Sequence, residues 1–346
     1  MRRLYAWPPG AGAAPADATL ATLSIELPRM LARLQFTIVI ALLAAAGAWL
    51  AWTLPDGRWL AALCGLLLLG SAHAVVLALE FRWMATLNRR DPAPQASPWQ
   101  LVRAWWGDSH AAPRVFLWQQ PLRSRRWPDQ LDATARGRRG VLLVHGFVCN
   151  RGLWNRWLQR LHAAGVPSVA VNLEPVFGSI DDYAAIVEAG VARLEAATGL
   201  PPLVVAHSMG GLALRRWRSL PGNAARVSQV VTIGTPHHGT WLARYALTRN
   251  GLQMQPGSPW LQQLRDDEAR NGAADHSGFV CFYGHCDNIV FPASTATLPG
   301  ADNRHLDGVA HVHMVEHPAV WAEVERRLVD PTQFSPGLPA AARPAA

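Results

Sequence analysis

A chain of 346 residues that is 50% hydrophobic and only 16% charged, against about 25% charged in an average soluble protein, can bury a large core and is not intrinsically disordered. Four cysteines are too few for a disulfide scaffold and leave the redox compartment open. The net charge of +8 comes from arginine alone, since no lysine occurs, and without an aromatic-rich recognition motif it argues against nucleic acid as a partner.

The 16 tryptophans are an excess that suits membrane interfaces, where an amphipathic indole is at home. Residues 36–54 and 59–79 carry no charged side chain, and each stretch is long enough to cross about 30 Å of hydrocarbon as a helix. Pro55, Asp56, Gly57 and Arg58 separate them, a turn that makes an antiparallel hairpin. The first stretch is too long, and too far from the start, for the apolar core of a signal peptide. Helices of a soluble bundle would keep a polar stripe, which neither stretch has. Arg2, Arg3, Arg29 and Arg33 precede the hairpin, Arg82, Arg89 and Arg90 follow it, and Arg58 alone lies in its turn. The positive-inside rule places both flanks in the cytoplasm. The expected order is therefore a cytoplasmic segment at 1–35 and a transmembrane hairpin at 36–81, with His73 as a structural contact between helices.

Residues 82–114 read as a linker and interfacial segment. The proline-rich run from Asp91 to Ser97 cannot continue a helix. Beyond it Trp99, Trp105, Trp106 and Arg103 form either an interfacial helix or a packing surface for the next domain.

From residue 115 the pattern alternates short apolar runs with helical stretches. Strands are expected at 141–144, 168–171, 203–205, 227–233 and 279–283, and helices at 153–164, 180–197, 212–220 and 319–328. Ser179 and Asp182 have capping-box spacing at the start of the longest of these helices. The alternation implies βαβ units and a mostly parallel, doubly wound sheet from 115 to 330, followed by a flexible tail at 331–346.

Within that region Ala206-His207-Ser208-Met209-Gly210 joins a strand to a helix through a serine. Small residues two before and two after the serine let the backbone bend sharply and expose the hydroxyl at the carboxyl edge of the sheet. Upstream, the apolar run 141–144 ends in His145-Gly146-Phe147, and downstream lies Gly234-Thr235-Pro236-His237-His238-Gly239.

Taken jointly, these three motifs resemble the α/β-hydrolase superfamily and its bacterial lipase and esterase branch, over residues 115–329. The resemblance implies a nucleophile, acid and histidine in that order. Ser208 matches the nucleophile. Asp287 follows the strand at 279–283 where the family acid lies, with Asp302 and Asp307 as substitutes. His311, in Gly308-Val309-Ala310-His311, matches the family base, with His313 as its rival. The backbone N–H groups of Phe147 and Met209 would form the oxyanion hole, and His145, Gly146, His207 and His237 are expected around the pocket. Residues 240–278, scattered with Trp241, Tyr245, Leu252 and Trp260, would form a lid.

No cofactor is implied. Cys281, His285, Cys286 and Asp287 lack the paired spacing of a zinc site, so no metal is expected, and Cys149 reads as an apolar filler. The implied protein is a serine ester hydrolase anchored in the bacterial inner membrane, acting on lipid or small-molecule esters from the cytoplasmic side. An inactive scaffold that kept the fold, or an acyltransferase using the same residues, would carry the same sequence signals.

Overall fold

The computed structural model describes residues 30–329. Arg2, Arg3 and Arg29, most of the expected segment 1–35, and the tail 331–346 lie outside the described residues.

Two apolar helices, α1 (Met30–Thr53) and α2 (Trp59–Asn88), are long and apolar enough to cross a membrane. They touch near their joining turn, where the indole N–H of Trp49 donates to the Ala61 carbonyl at 3.1 Å. Gly65 makes that approach possible, since a Cβ there would lie 2.0 Å from Trp49 Nε1. Most side chains along both helices are exposed apolar groups. Burial returns at the far ends, at Leu31 and Gln35 on α1 and at Phe81, Met84 and Asn88 on α2.

The second helix therefore does not stop at the edge of the charge-free stretch, but runs seven residues past position 81 into the body of the protein. Residues 82–114, expected as linker, comprise the end of α2, a short bend and α3 (Pro98–Pro113). Ser97 opens α3 with a capping box in which its hydroxyl accepts from the Gln100 N–H and Gln100 accepts from the Ser97 N–H. Of the two alternatives for the tryptophans on α3, each applies to some of them. Trp105 packs inward, donating to the Ala74 carbonyl at 2.8 Å, whereas Trp99 and Trp106 are 72% and 60% exposed.

The sheet has six parallel strands: β1 (Val141–Val144), β2 (Ser168–Ala170), β3 (Leu203–His207), β4 (Val230–Ile233), β5 (Phe279–Gly284) and β6 (Asp302–Leu306). Their order is β2-β1-β3-β4-β5-β6, each neighbour parallel to the next. Parallel strands need crossovers, which α4 (Asn155–Ala163), α5 (Tyr183–Thr198) and α6 (Met209–Arg218) supply between the first four. Successive side chains point to opposite faces, so Leu142 and Val144 join a core with Tyr183, Val187 and Leu212, while Val141 and Leu143 join another with Trp154, Leu158 and Val320.

The strand β6 has no counterpart among the expected elements. Its sequence, Asp302-Asn303-Arg304-His305-Leu306, is polar because its faces are largely exposed and only Leu306 is fully buried. Arg304 ties it to Glu323 on α9 (Pro318–Val329) at 2.9 Å.

In the stretch expected as a lid at 240–278, a 3-10 turn (Trp241–Tyr245) and α7 (Arg249–Gln253) leave Leu247 96% exposed but bury Ala243, Asn250 and Met254. The helix α8 (Pro259–Arg270) packs into the same apolar core as Ala243 and Met254. It buries Leu261 and Leu264, and its Glu268 makes a two-pronged, buried ion pair with Arg215 of α6 at 2.8 and 2.7 Å.

Candidate active site

Ser208 stands between the end of β3 and the start of α6 with φ 54° and ψ −130°, a conformation a non-glycine residue adopts only where its surroundings force it. Three contacts do so. The Ser208 N–H donates to the Ile233 carbonyl at 2.9 Å, its own carbonyl accepts from the Gly211 N–H at 3.0 Å, and the helix after it runs close under β1. That closeness is why position 210 is glycine: a Cβ there would lie 2.5 Å from the His145 carbonyl oxygen. Gly146 meets the serine from the other side, where a Cβ would come within 2.7 Å of Ser208 Cβ and 3.3 Å of its Oγ. The hydroxyl therefore sits in a cleft closed by two glycine approaches, and the residue is 7% exposed.

His311 and Asp287 meet as a buried pair, with His311 Nδ1 donating to Asp287 Oδ2 at 2.9 Å. The other carboxylate oxygen of Asp287 accepts from the N–H groups of Ile289 and Val290 at 2.9 and 2.8 Å, so the turn after β5 fixes its orientation. Burial pushes the His311 ring down, but the charge and hydrogen bond of Asp287, reinforced by the charges of Asp108 and Glu80, override this and raise its pKa above the ordinary histidine value. Gly234 lies directly against the pair: a Cβ there would be 2.9 Å from Asp287 Oδ2 and 3.0 Å from His311 Nδ1. Sequence reading assigned Gly234 to a motif without a role, and its φ of +54° is the backbone reason for glycine there.

The rival residues fall elsewhere. Asp302 is exposed and paired with Arg304, and Asp307 is exposed beside His305. His313 is exposed, with its ring over Gly107 of α3 and its N–H donating to Asp108 at 3.2 Å.

The oxyanion-hole candidates flank Ser208 and Gly146 in the sequence. Met209 opens α6 directly after the serine, and Phe147 follows Gly146, with its half-buried ring edge-on to Phe177 at 6.0 Å. The residues expected around the pocket are buried. His145 is buried with both ring nitrogens engaged, Nδ1 with the Gly146 carbonyl and Nε2 accepting from the Leu173 N–H, each at 2.9 Å. Burial holds its pKa down at about 4, so it stays neutral and pins the glycine turn. The ring of His207 packs against that of His311 at 4.6 Å, tilted by 44°, with Nε2 3.3 Å from the His311 carbonyl. His237 turns into the core, 3.2 Å from the Thr232 hydroxyl and 3.5 Å from Cys281 Sγ. Burial also drives the pKa of both rings well below the ordinary histidine value.

Cys149 is buried and its thiol is pushed up to about 12, as befits a filler rather than a nucleophile. The four residues weighed as metal ligands point apart, with Cys281 toward His237 and Cys286 in a cluster with Phe81 and Met84. His285 instead lies with His305 and Asp307, their ligand atoms within 4.8 Å of one another; its Nε2 accepts from the Gly308 N–H at 3.4 Å and its Nδ1 lies 4.0 Å from Asp307 Oδ1.

Two acidic residues escaped sequence reading altogether. Glu80 of α2 and the buried Asp108 of α3 both face His311. The one available signal was that Glu80 ends the charge-free stretch, where an acid beside a membrane span is costly and so tends to have a task.

Residues 141–284 match the alpha/beta hydrolase family, a stretch that holds Ser208 and ends before Asp287 and His311. Among solved structures the chain is similar to the mature form of the lipase BlEst2 of Bacillus licheniformis, at 17% identity over 56% of this chain and 92% of that one, with a TM-score of 0.48. It is also similar to lipase B of Aspergillus fumigatus, at 22% identity over 56% of this chain and 53% of that one, with a TM-score of 0.49. The chain thus spans about half the length of the Aspergillus protein. No curated protein matches it.

Proposed function

Taking as premise that the chain carries an alpha/beta hydrolase domain, we propose that it is a membrane-anchored serine hydrolase that cleaves carboxylic esters, above all lipid-derived ones, through an acyl-enzyme. The observation that carries this reading is the buried Asp287–His311 pair, 2.9 Å long, in the same site as a serine held at positive φ on a strand-to-helix elbow.

In this mechanism Ser208 Oγ attacks the ester carbonyl while His311 Nε2 takes its proton. The same nitrogen then returns the proton to the departing alcohol, and water repeats the cycle on the acyl-enzyme. Asp287 holds the ring through Nδ1 and stabilises its protonated form. The N–H groups of Phe147 and Met209 bind the oxyanion as charge develops on it. The chemistry needs no cofactor.

A lipid-derived substrate is favoured by the apolar helices α1 and α2, whose outer end exposes Leu43, Trp52, Trp59 and Leu60. Arg82, Arg89 and Arg90 follow the hairpin and Arg58 alone marks its turn, which favours a cytoplasmic catalytic domain in the inner membrane of a bacterium.

A fluorophosphonate probe tests the central claim, because it labels only an activated serine. The full-length protein should label at Ser208, and Ser208→Ala should lose both labelling and hydrolysis of a short p-nitrophenyl ester. A folded wild-type protein that resists the probe would overturn the reading in favour of an inactive scaffold.

A further inference from the structure

The loop that carries His311 is held by the two helices that precede the hydrolase domain. Asn288, fully buried, links one of them: its Nδ2 donates to Glu80 Oε2 at 2.8 Å, and its Oδ1 accepts from the His311 N–H at 3.3 Å. Asp108 grips the other side, accepting at Oδ1 from the His313 N–H at 3.2 Å. The backbone is thus anchored both at His311 and two residues beyond it. Around these bonds Phe81 and Met84 of α2 and Ala104 of α3 share one apolar cluster with Ala310, Cys286 and Phe291. At the end of α2, Asn88 donates to the His285 carbonyl at 3.2 Å and accepts from the Ala293 N–H at 3.1 Å, bracketing the turn that bears Asp287.

We propose that Glu80 and Asp108 are positioning residues for His311, so that the membrane helix α2 and its neighbour α3 complete the catalytic site that the hydrolase domain only begins. The proposal rests on the reading of His311 as the general base. The groups facing that ring are Asp287 from the turn after β5, Glu80 from α2, Asp108 from α3 and His207 from the end of β3. Two acids beyond the usual partner therefore bear on one imidazole. Their negative charge favours its protonated form, the form it takes when Ser208 attacks. Burial holds Asp108 itself up at about 6, so its charge is present near neutrality and is lost on mild acidification.

The test compares full-length wild type with Asp108→Asn and Glu80→Gln, which keep shape and remove charge. The readouts are the pH profile of kcat/KM on a short ester and fluorophosphonate labelling. Each variant should move the acid limb of the profile to lower pH by about one unit and lower kcat about tenfold with little change in KM. A purely structural role would not move the limb. Thermal melting is followed in parallel, and if one variant fails to fold the other carries the same readout. Folded variants with the wild-type limb would overturn the proposal while leaving the serine hydrolase intact. Failure of the wild type to label would instead remove the reading on which the proposal rests.

Discussion

His311 and His313 lie two residues apart in the sequence and serve different neighbours. His311 meets Asp287 in the core, whereas His313 is exposed over α3. His311→Ala should therefore lower ester turnover by about 10⁴-fold or more and His313→Ala far less, and Asp287→Asn should cost far more than Asp302→Asn. A reversed ranking in the steady-state rates would move the roles. Because the base must be neutral to accept the serine proton, and its pKa is raised, activity should fall as pH drops through a point above the ordinary histidine value of 6.5. The elbow at Ser208 and the pairing of Asp287 with His311 were legible because their neighbours carry short motifs with a backbone reason. Glu80 and Asp108 were not, because about 200 residues separate them from His311, and no local pattern encodes a fold-back of that length.

Among the elements, the parallel strands were legible where both faces are buried, since that demands a continuous run such as Val141-Leu142-Leu143-Val144. The strand β6 escaped because its faces are largely exposed, with only Leu306 fully buried, which relaxes that demand. Within the segment at 240–278, α8 is tied to α6 by a buried charge pair. Removing Glu268 would leave the Arg215 guanidinium buried and unpaired, so Glu268→Ala should destabilise the domain by about 3–5 kcal/mol. Replacing both residues with apolar ones, as in Arg215→Met with Glu268→Leu, should recover much of that loss in urea titrations. Burial raises the Glu268 carboxyl, but its bonds to Arg215 and His276 outweigh this and hold it down at about 2. The pair's contribution should thus be fully present above the ordinary value of 4.5 and fade as pH falls toward 2.

For the whole molecule, the hairpin and the domain cannot be considered apart. His73 Nε2 lies 2.9 Å from the Ser109 carbonyl and Trp105 donates to the Ala74 carbonyl, so α3 covers one side of α2 from residue 73 onward, while Val75, Val76 and Leu79 stay exposed on the other. The stretch of α2 clear of α3 on every side, residues 59–72, reaches only about 21 Å at 1.5 Å per residue, less than the roughly 30 Å of bilayer hydrocarbon. If the hairpin is to span, the exposed face of α3 must enter the interface with it. Trp106 should then be quenched by lipids brominated near the headgroup, in a variant that keeps Trp106 and has the other fifteen tryptophans replaced by phenylalanine. Absence of quenching would mean that the hairpin penetrates only partway.

The unbroken run of α2 from the turn at Pro55–Arg58 to Asn88 bears on where the proposed hydrolase is able to act. Many anchored enzymes can be shed, because a protease cutting between anchor and domain frees a working soluble fragment. Here the accessible bend at residues 89–97 lies on the wrong side of Glu80 and Asn88 for that. A cut there would leave behind the side chains that brace the loops of His311 and Asp287. Activity would be forfeited on release, and the hydrolase would stay confined to the surface on which it was assembled.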